Sequence, residues 1–191
     1  MKKLALFASG YGTNVQQIMD YFKGSNNVKI DIVIVNRKDS YARERAKNMG
    51  VDNLYFNRDD FYNSNKVLEE LKKREIDMIV LAGFLLLIPQ NLIDNFPNAI
   101  INIHPALLPK YGGKGMYGHF VHEAVIANKE KESGITIHYV NDRYDEGQTI
   151  FQAKCKISPN DTPDDLAAKI HLLEKEYFPK VIESILESKE K

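Results

Sequence analysis

The sequence has little that would tie the protein to a metal, an oxidising compartment, a nucleic acid or a membrane surface. Its 191 residues include one cysteine, Cys155, which excludes an internal disulfide, and no group of Cys and His has zinc-site spacing. Lys plus Arg and Asp plus Glu both number 26, so there is no net positive field to attract nucleic acid or anionic lipid. We therefore expect a protein of a reducing compartment that acts on small molecules.

Long apolar runs are also missing. The N-terminal segment MKKLALFASG superficially resembles a signal peptide, but its apolar run, residues 4–8, ends at Ser9. That run is too short for a secretory core, and no apolar stretch approaches the roughly 18 residues of a membrane span. We read the segment as the first strand of a cytoplasmic protein.

Short apolar runs bounded by polar residues or glycine indicate strands. The runs are continuous rather than alternating, which is typical of strands covered on both faces. They occupy residues 4–8, 30–35, 78–82 and 100–103. Three segments between them have helical spacing: the stripe Val15, Ile18, Met19 and Phe22 with Asn14 as N-cap, residues 40–50 with Ser40 as cap, and residues 64–74.

The order of these elements predicts the fold class. Strands that alternate with helices imply right-handed crossovers in a parallel sheet. The segments GITIHYV and QTIFQAKCKI are joined by so few residues that they should pair antiparallel, and residues 162–187 should form a long helix. We predict one domain over residues 1–191, of the α/β class, with a Rossmann-like, open, mostly parallel sheet, helices on both faces and an antiparallel edge.

The segment SGYGTN, residues 9–14, follows the first strand and opens the first helix, and we call it the glycine loop. Gly10 and Gly12 allow a sharp turn, and the free N–H groups of a helix N-terminus attract an anion such as phosphate. The glycines alone could equally serve only a tight turn. The Gly-Lys-Ser/Thr ending of a P-loop is absent, and Val15 takes the third glycine position of the dinucleotide motif.

Asn102 and His104 end the apolar strand AIINI, just before Pro105. Ligands of open parallel sheets bind beyond the carboxyl ends of the strands, so we expect both side chains to face the crevice that the glycine loop borders. An Asn amide can donate to an oxygen that becomes negative, and a His can transfer a proton near neutral pH. The pair suits acyl transfer, although a strand-end Asn and a hydrogen-bonded loop His are the commoner interpretation.

The segment NDRYDEGQ, residues 141–148, forms an acidic turn between the two predicted antiparallel strands. Asp142, Asp145 and Glu146 are all candidates to orient His104 or to relay a proton. Composition alone fits a solvated hairpin turn equally well.

Four segments, SGYGTN, LAGFLLLIP, INIHPALLPKY and VNDRYDEG, together resemble the folate-dependent formyltransferase family. The resemblance extends from Lys3 to about Pro179. It implies an enzyme that transfers a formyl group from its co-substrate, 10-formyltetrahydrofolate, to the amine of glycinamide ribonucleotide in de novo purine biosynthesis. Two alternatives stay open: a formyltransferase with a sugar-nucleotide acceptor, and a noncatalytic nucleotide-binding module that uses only the glycine loop.

The resemblance also implies roles for individual residues. Asn102 and a protonated His104 would stabilise the oxyanion, and Asp145 would hold His104 and move a proton. Backbone N–H groups of Gly12, Thr13 and Asn14 would hold the substrate phosphate. Glu174 would contact the ribose. The folate would lie along two segments, Leu85, Leu86, Leu87 and Ile88 in the first and Asn141, Asp142, Arg143 and Tyr144 in the second. Neither a metal nor a bound redox cofactor is implied.

Two segments depart from the family pattern. Many relatives carry Met-Arg where this chain has Leu85 and Leu86, so any contact from an arginine side chain is lost. The segment between Gly112 and His122 is longer than its usual counterpart, which leaves open whether His119 or His122 faces the cleft.

Overall fold

The computed structural model describes residues 1–188, and the chain divides into two compact units. The first unit, Met1–Ile101, contains β1 (Lys2–Ala8), α1 (Thr13–Phe22), β2 (Val28–Val35), α2 (Ala42–Asn48), β3 (Asp52–Tyr55), α3 (Arg58–Tyr62), α4 (Lys66–Lys73), β4 (Met78–Leu81) and α5 (Gln90–Asn95). Strand β5 (Ile100–His104) begins in the first unit and ends in the second. The second unit, from Asn102 onward, contains α6 (His119–Ala127), β6 (Glu132–Tyr139), β7 (Thr149–Lys156) and α7 (Pro163–Ser188).

Strand β1 is central to the sheet of the first unit. It pairs in parallel with β2 on one side and with β4 on the other, and β3 pairs in parallel with β2. The runs Leu4–Ala8, Ile32–Val35 and Met78–Leu81 are buried at every position. Burial on both faces of these strands explains why their apolar residues do not alternate with polar ones.

An aromatic cluster fills the core beside β1. Phe7 packs edge-to-face against Phe61 and Phe84, with ring centroids 5.9 and 5.3 Å away. Such pairs contribute about 0.5–1.5 kcal/mol beyond the area they bury. Because Phe84 directly precedes the segment 85–88, this contact also anchors the start of that segment.

Helix α1 buries the predicted stripe, but its start and that of α2 differ from the sequence prediction. Gly12, with φ 75°, is the N-cap of α1, and Asn14 is already inside the helix. Tyr41 is the N-cap of α2, because the Ser40 hydroxyl donates instead to the Gly10 carbonyl at 2.7 Å. Helix α4 is shorter than the predicted 64–74. The elements β3, α3 and α5 were not predicted.

The second unit is built around an antiparallel hairpin and a long helix. Strands β6 and β7 pair antiparallel, with Ile135 opposite Ala153, as the sequence predicted. Helix α7 begins after Thr162, whose hydroxyl accepts the Asp165 N–H while the Asp165 carboxylate accepts the Thr162 N–H. This reciprocal capping satisfies N–H groups that a helix start leaves unpaired. Its buried apolar face comprises Leu166, Ile170, Phe178, Ile182, Ile185 and Leu186.

The strand order across the sheet is β3-β2-β1-β4-β5-β6-β7. The predicted α/β class, a mostly parallel sheet with an antiparallel edge and helices around it, is confirmed. The assignment of residues 1–191 to one domain stays a prediction, and its last three residues lie outside the described chain. Over residues 1–188, none of the helices has the length and apolar character needed to cross a bilayer.

Candidate active site

Strand β5 presents Asn102 and His104 on the same side, because residues two apart in a strand point the same way. His104 is buried and Asn102 is half-buried. Ile101, before Asn102, and Ile103, between the two polar residues, belong to the core. The apolar strand therefore supplies a rigid base from which two polar side chains emerge.

The segment that follows β5 holds His104 in one orientation. The Nε2–H of His104 donates to the Tyr111 carbonyl at 2.7 Å. Farther along, the Leu108 N–H donates to Thr136 Oγ1 at 3.0 Å, and the Thr136 hydroxyl donates to the Ala106 carbonyl at 2.7 Å. These bonds fasten the segment to β6. The imidazole is therefore held by both its own strand and the loop beyond it.

Asp145 is the one acidic side chain of the turn that points at these groups. Its Oδ2 accepts the Gly113 N–H at 3.0 Å and lies 3.5 Å from Nδ1 of His104. Its Oδ1 lies 3.4 Å from Nδ2 of Asn102. Asp142 and Glu146 are exposed, and Glu146 pairs with Arg143 instead. The left-handed φ of Asp145, 58°, separates its direction from those of its neighbours.

His138 completes this cluster and was missed by the sequence analysis. It is 2% exposed, its Nδ1–H donates to the Tyr139 carbonyl at 2.8 Å, and Asn102 Nδ2 lies 3.0 Å from its Nε2. With a proton on Nδ1, Nε2 can accept from the Asn102 amide. Its Nε2 also lies 3.6 Å from Asp145 Oδ1. The signal was present in GITIHYV, where one polar ring interrupts an apolar strand just before the acidic turn.

The acidic turn carries a glycine, Gly147, where it lies against β6. A Cβ on Gly147 would lie 1.7 Å from the Tyr139 carbonyl oxygen and 3.5 Å from Nδ1 of His138. Only a residue without a side chain lets the turn approach β6 this closely. The close approach brings Asp145 within reach of the histidines.

Burial and charge set the protonation of the cluster. Burial lowers the pKa of His104 below 6.5 and His138 adds to the shift, while Asp145 and the Tyr111 carbonyl oppose it. Burial acts to raise the pKa of Asp145, but contact with His138, the charge on His104 and the Gly113 N–H outweigh it, and the pKa falls below 3.8. The lowered pKa favours the neutral form of His104, in which the Nδ1 lone pair faces the ionised Asp145 carboxylate.

The glycine loop lies in the first unit, and its backbone conformation could hold an anion. Gly12 adopts φ 75° and ψ 31°, and the Gln16 N–H donates to its carbonyl at 3.0 Å as the first helical bond. The N–H groups of Thr13 and Asn14 precede that bond and have no partner within the helix. A Cβ on Gly12 would lie 2.7 Å from Ala42 Cβ, so the loop lies directly against α2.

The predicted folate segment of the first unit, residues 85–88, follows β4. The Leu85 N–H donates to the Ser9 hydroxyl at 2.8 Å, and the Leu87 carbonyl accepts from the Tyr62 hydroxyl at 2.7 Å. Ile88 is buried, whereas the Leu85 side chain is 41% exposed. The segment therefore combines a fixed backbone with an accessible apolar side chain.

The remaining predicted residues lie in the second unit. Glu174 is buried on α7, where its Oε2 lies 2.9 Å from Nδ1 of His171. In the acidic turn, Asn141 Oδ1 accepts the Arg143 N–H at 3.0 Å, and Asp142, Arg143 and Tyr144 are exposed.

The two histidines of α6 have different surroundings. His119 is exposed and lies 3.3 Å from Glu123 and 3.7 Å from Asp164. His122 is 4% exposed, and no group of the described chain bonds its buried Nδ1. Burial lowers the pKa of His122 to about 4, with further lowering by His171, His119 and His104. Within residues 1–188, His, Cys, Asp and Glu form no group of three or more that could hold a metal ion.

Comparison with known proteins agrees with this arrangement. The family described as "Formyl transferase" matches residues 2–182. The chloroplastic phosphoribosylglycinamide formyltransferase of Arabidopsis thaliana is 39% identical over 98% of this chain, which spans 66% of that relative's length. The phosphoribosylglycinamide formyltransferase of Haemophilus influenzae is 35% identical over 99% of this chain and 89% of its own.

A solved structure agrees as well. Glycinamide ribonucleotide transformylase 1 from Symbiobacterium toebii superposes with a TM-score of 0.88 at 32% identity, over 98% of this chain and 89% of its own. The matches extend over both units, so the resemblance noted in the four sequence segments is confirmed. The chain belongs to the formyl transferase family.

Proposed function

We propose that the protein transfers a formyl group from 10-formyltetrahydrofolate to the primary amine of glycinamide ribonucleotide. Membership of the formyl transferase family supports the reaction type, and the names of the Arabidopsis and Haemophilus relatives support the acceptor. The observation that carries the proposal is the contact of one ionised carboxylate, that of Asp145, with His104 and Asn102.

His104 is suited to receive the proton that the acceptor amine loses. In the reaction the amine nitrogen bonds to the formyl carbon, the bond from that carbon to N10 breaks, and the amine proton ends on N10. 10-Formyltetrahydrofolate supplies the formyl group. Because Nε2 of His104 already donates to Tyr111, its lone pair lies at Nδ1, 3.5 Å from Asp145. Protonation at Nδ1 creates a cation beside a carboxylate, which stabilises it.

The charge that develops on the formyl oxygen needs donors. We assign this role to Asn102 and to His104 once it is protonated, and each well-aimed donor contributes roughly 3 kcal/mol. Because Nε2–H of His104 donates to Tyr111, the proton on Nδ1, beside Asp145, is the one that His104 can share with the formyl oxygen. In the described chain the Asn102 amide donates toward His138 and Asp145. It must therefore turn, or share a proton with the formyl oxygen, when substrate binds. His138 and Asp145 hold the amide close to the position that it needs.

The substrates are assigned by the chemistry of the predicted residues. The N–H groups of Gly12, Thr13 and Asn14 suit the phosphate, since they precede the first helical bond. The buried Glu174 carboxylate suits ribose hydroxyls.

For the folate, we propose residues 85–88 and the acidic turn. The fixed backbone and exposed Leu85 side chain of residues 85–88 suit a flat heterocycle. Backbone contacts do not depend on the residue type, so Leu86 is compatible with this role. The turn residues Asn141, Asp142, Arg143 and Tyr144 are expected to contribute backbone groups as well.

The test is formylation of glycinamide ribonucleotide with 10-formyltetrahydrofolate as donor, with formation of tetrahydrofolate measured in parallel. We expect both products in equal amounts. Formylation of a sugar-nucleotide amine in its place would identify the other acceptor class, and binding of ribotide without folate would identify the noncatalytic module. No observation favours either alternative. A cytoplasmic location stays a prediction.

A further inference from the structure

Ser40, just before α2, and two residues of α2, Ala42 and Arg45, donate hydrogen bonds to successive carbonyl groups of the glycine loop. The Gly10 carbonyl accepts from the Ser40 hydroxyl at 2.7 Å and from the Ala42 N–H at 3.3 Å. The Tyr11 carbonyl accepts from Nε–H of Arg45 at 2.9 Å. None of these three donors belongs to the residues to which the proposed reaction assigns a role.

The hydrogen bond from Arg45 to the Tyr11 carbonyl determines where the N–H of the next residue, Gly12, points. A trans peptide unit is planar, and its C=O and N–H point in opposite directions. The carbonyl of Tyr11 and the N–H of Gly12 belong to the same peptide unit. While Arg45 holds the Tyr11 oxygen, the Gly12 N–H is turned away from Arg45. A rotation of this peptide unit would replace that N–H with a carbonyl oxygen, which repels phosphate.

Aromatic rings hold the Arg45 guanidinium in place. Its Cζ lies 4.7 Å from the ring centroid of Tyr11 and 5.1 Å from that of Tyr41, and the two rings stack at 4.8 Å and 16°. Cation–π contacts at this distance are favourable. Tyr11 is 67% exposed and Tyr41 is 45% exposed, so these rings contribute little to the core. Their contacts instead restrict a long side chain that would otherwise have many rotamers.

We infer that Arg45 is a positioning residue for the substrate phosphate, which acts by orienting the peptide unit between Tyr11 and Gly12. The inference rests on the proposed phosphate site in the glycine loop. Tyr11 and Tyr41 support Arg45 in this role. The effect depends on the Nε–H bond, so a positive charge on a different side chain does not replace it.

Two substitutions of Arg45 distinguish the effect of its Nε–H hydrogen bond from the effect of its positive charge. Arg45→Lys keeps the charge but carries a methylene where Nε lies, and Arg45→Met removes both. The matched control is Arg43→Met, because Arg43 lies on the same helix and its Nε–H donates to Asn53 at 3.0 Å, not to the glycine loop. Affinity for ribose 5-phosphate is measured by calorimetry, and the Gly12 amide signal is followed by NMR during the titration.

We expect Arg45→Lys and Arg45→Met to weaken ribose 5-phosphate binding about tenfold, the size of one lost positioning hydrogen bond. The Gly12 amide should shift less on titration in both variants, and Arg43→Met should match the parent. In formylation, KM for glycinamide ribonucleotide should rise about as much, with kcat unchanged. Full affinity in Arg45→Lys would assign the effect to charge and overturn the inference, as would full affinity in Arg45→Met.

Ribose 5-phosphate binding also separates this inference from the proposed function. A parent protein that binds it but does not formylate glycinamide ribonucleotide would contradict only the proposed function. A parent that does not bind it would overturn the inference. Thermal melting of each variant is the folding control. If both Arg45 variants are unfolded under conditions in which Arg43→Met is folded, Arg45 is a structural residue and the inference is wrong.

Discussion

The Oδ2 oxygen of Asp145 lies 3.5 Å from Nδ1 of His104, at the meeting of the acidic turn and the end of β5. In the neutral ring the proton lies on Nε2, so an N–H···O bond between these two atoms forms only when Nδ1 is protonated. Catalytic contacts are often long in the absence of substrate. The same carboxylate contacts Asn102 and the N–H of Gly113. One side chain thus links both polar residues of β5 to the segment beyond them.

Asp145→Asn tests whether this carboxylate drives proton transfer. The change preserves the shape of the side chain but removes its charge. We expect kcat to fall at least about 100-fold, the low end for a positioned acid–base group, with little change in the binding of either substrate. Steady-state kinetics together with calorimetry would measure both effects.

Asp142→Asn and Glu146→Gln are the matched controls, because both side chains are exposed on the same turn. Each should stay within about tenfold of the parent, a difference of roughly 1.4 kcal/mol in barrier. If either control lost most of its kcat while Asp145→Asn remained active, the proton relay would have to be assigned to the control residue instead.

His138 is expected to act by holding Asn102 and Asp145. His138→Leu removes the acceptor at Nε2, and we expect kcat to fall roughly tenfold or more with KM little changed, as for loss of a positioning hydrogen bond. His138→Gln retains a carbonyl oxygen that can accept from Asn102 and should recover part of the loss. Equal kcat for parent and His138→Leu would exclude this role.

Gly12→Ala should lower stability and phosphate affinity together. The added Cβ would lie 2.7 Å from Ala42 Cβ, and φ is 75°, so the substitution combines a clash with left-handed strain. We expect a loss of about 1–3 kcal/mol in the free energy of unfolding. Gly10→Ala is the control, since no atom lies within 4 Å of its added Cβ. Denaturant titration of the two variants would measure the difference.

Stability should fall between pH 6.5 and 4 because of His122. Burial lowers its pKa from 6.5 to about 4, so in this interval the unfolded chain binds a proton that the folded chain does not. Stability therefore rises with pH across the interval, by up to about 3 kcal/mol from this residue. The groups that face it, His171, His119 and His104, add to its shift in the same direction.

The control for the pH effect is a comparison of two histidines on α6. Urea unfolding of His122→Leu should show a flatter pH dependence than the parent. The exposed His119→Gln removes only a secondary cause of the His122 shift and should keep most of the parental slope. His171 contributes with the opposite sign: its hydrogen bond to Glu174 raises its pKa, so its stabilisation is lost as pH rises through the raised value. An unchanged slope in His122→Leu would show that other groups cause the acid sensitivity.

The sequence predicted those parts of the fold in which local pattern and burial agree. The continuous apolar runs became β1, β2, β4 and β5, and the stripe that ends at Phe22 became the buried face of α1. The short elements β3, α3 and α5 were missed, because four to six residues contain too few positions to display a period. Boundaries such as the start of α2 also differ, since the Ser40 hydroxyl bonds the glycine loop rather than its own helix.

By itself, the sequence determined that Asn102 and His104 end a buried strand and that an acidic turn follows a later one. Both facts depend on local apolar runs and on turn residues, which neighbouring positions encode. Only the tertiary structure decided that Asp145 points inward, that His138 joins it, and that burial lowers the pKa of His104. These outcomes arise because Gly147 lets the turn approach Tyr139 and because burial disfavours charge on an imidazole. They depend on residues far apart in the chain, whose distances no local pattern contains.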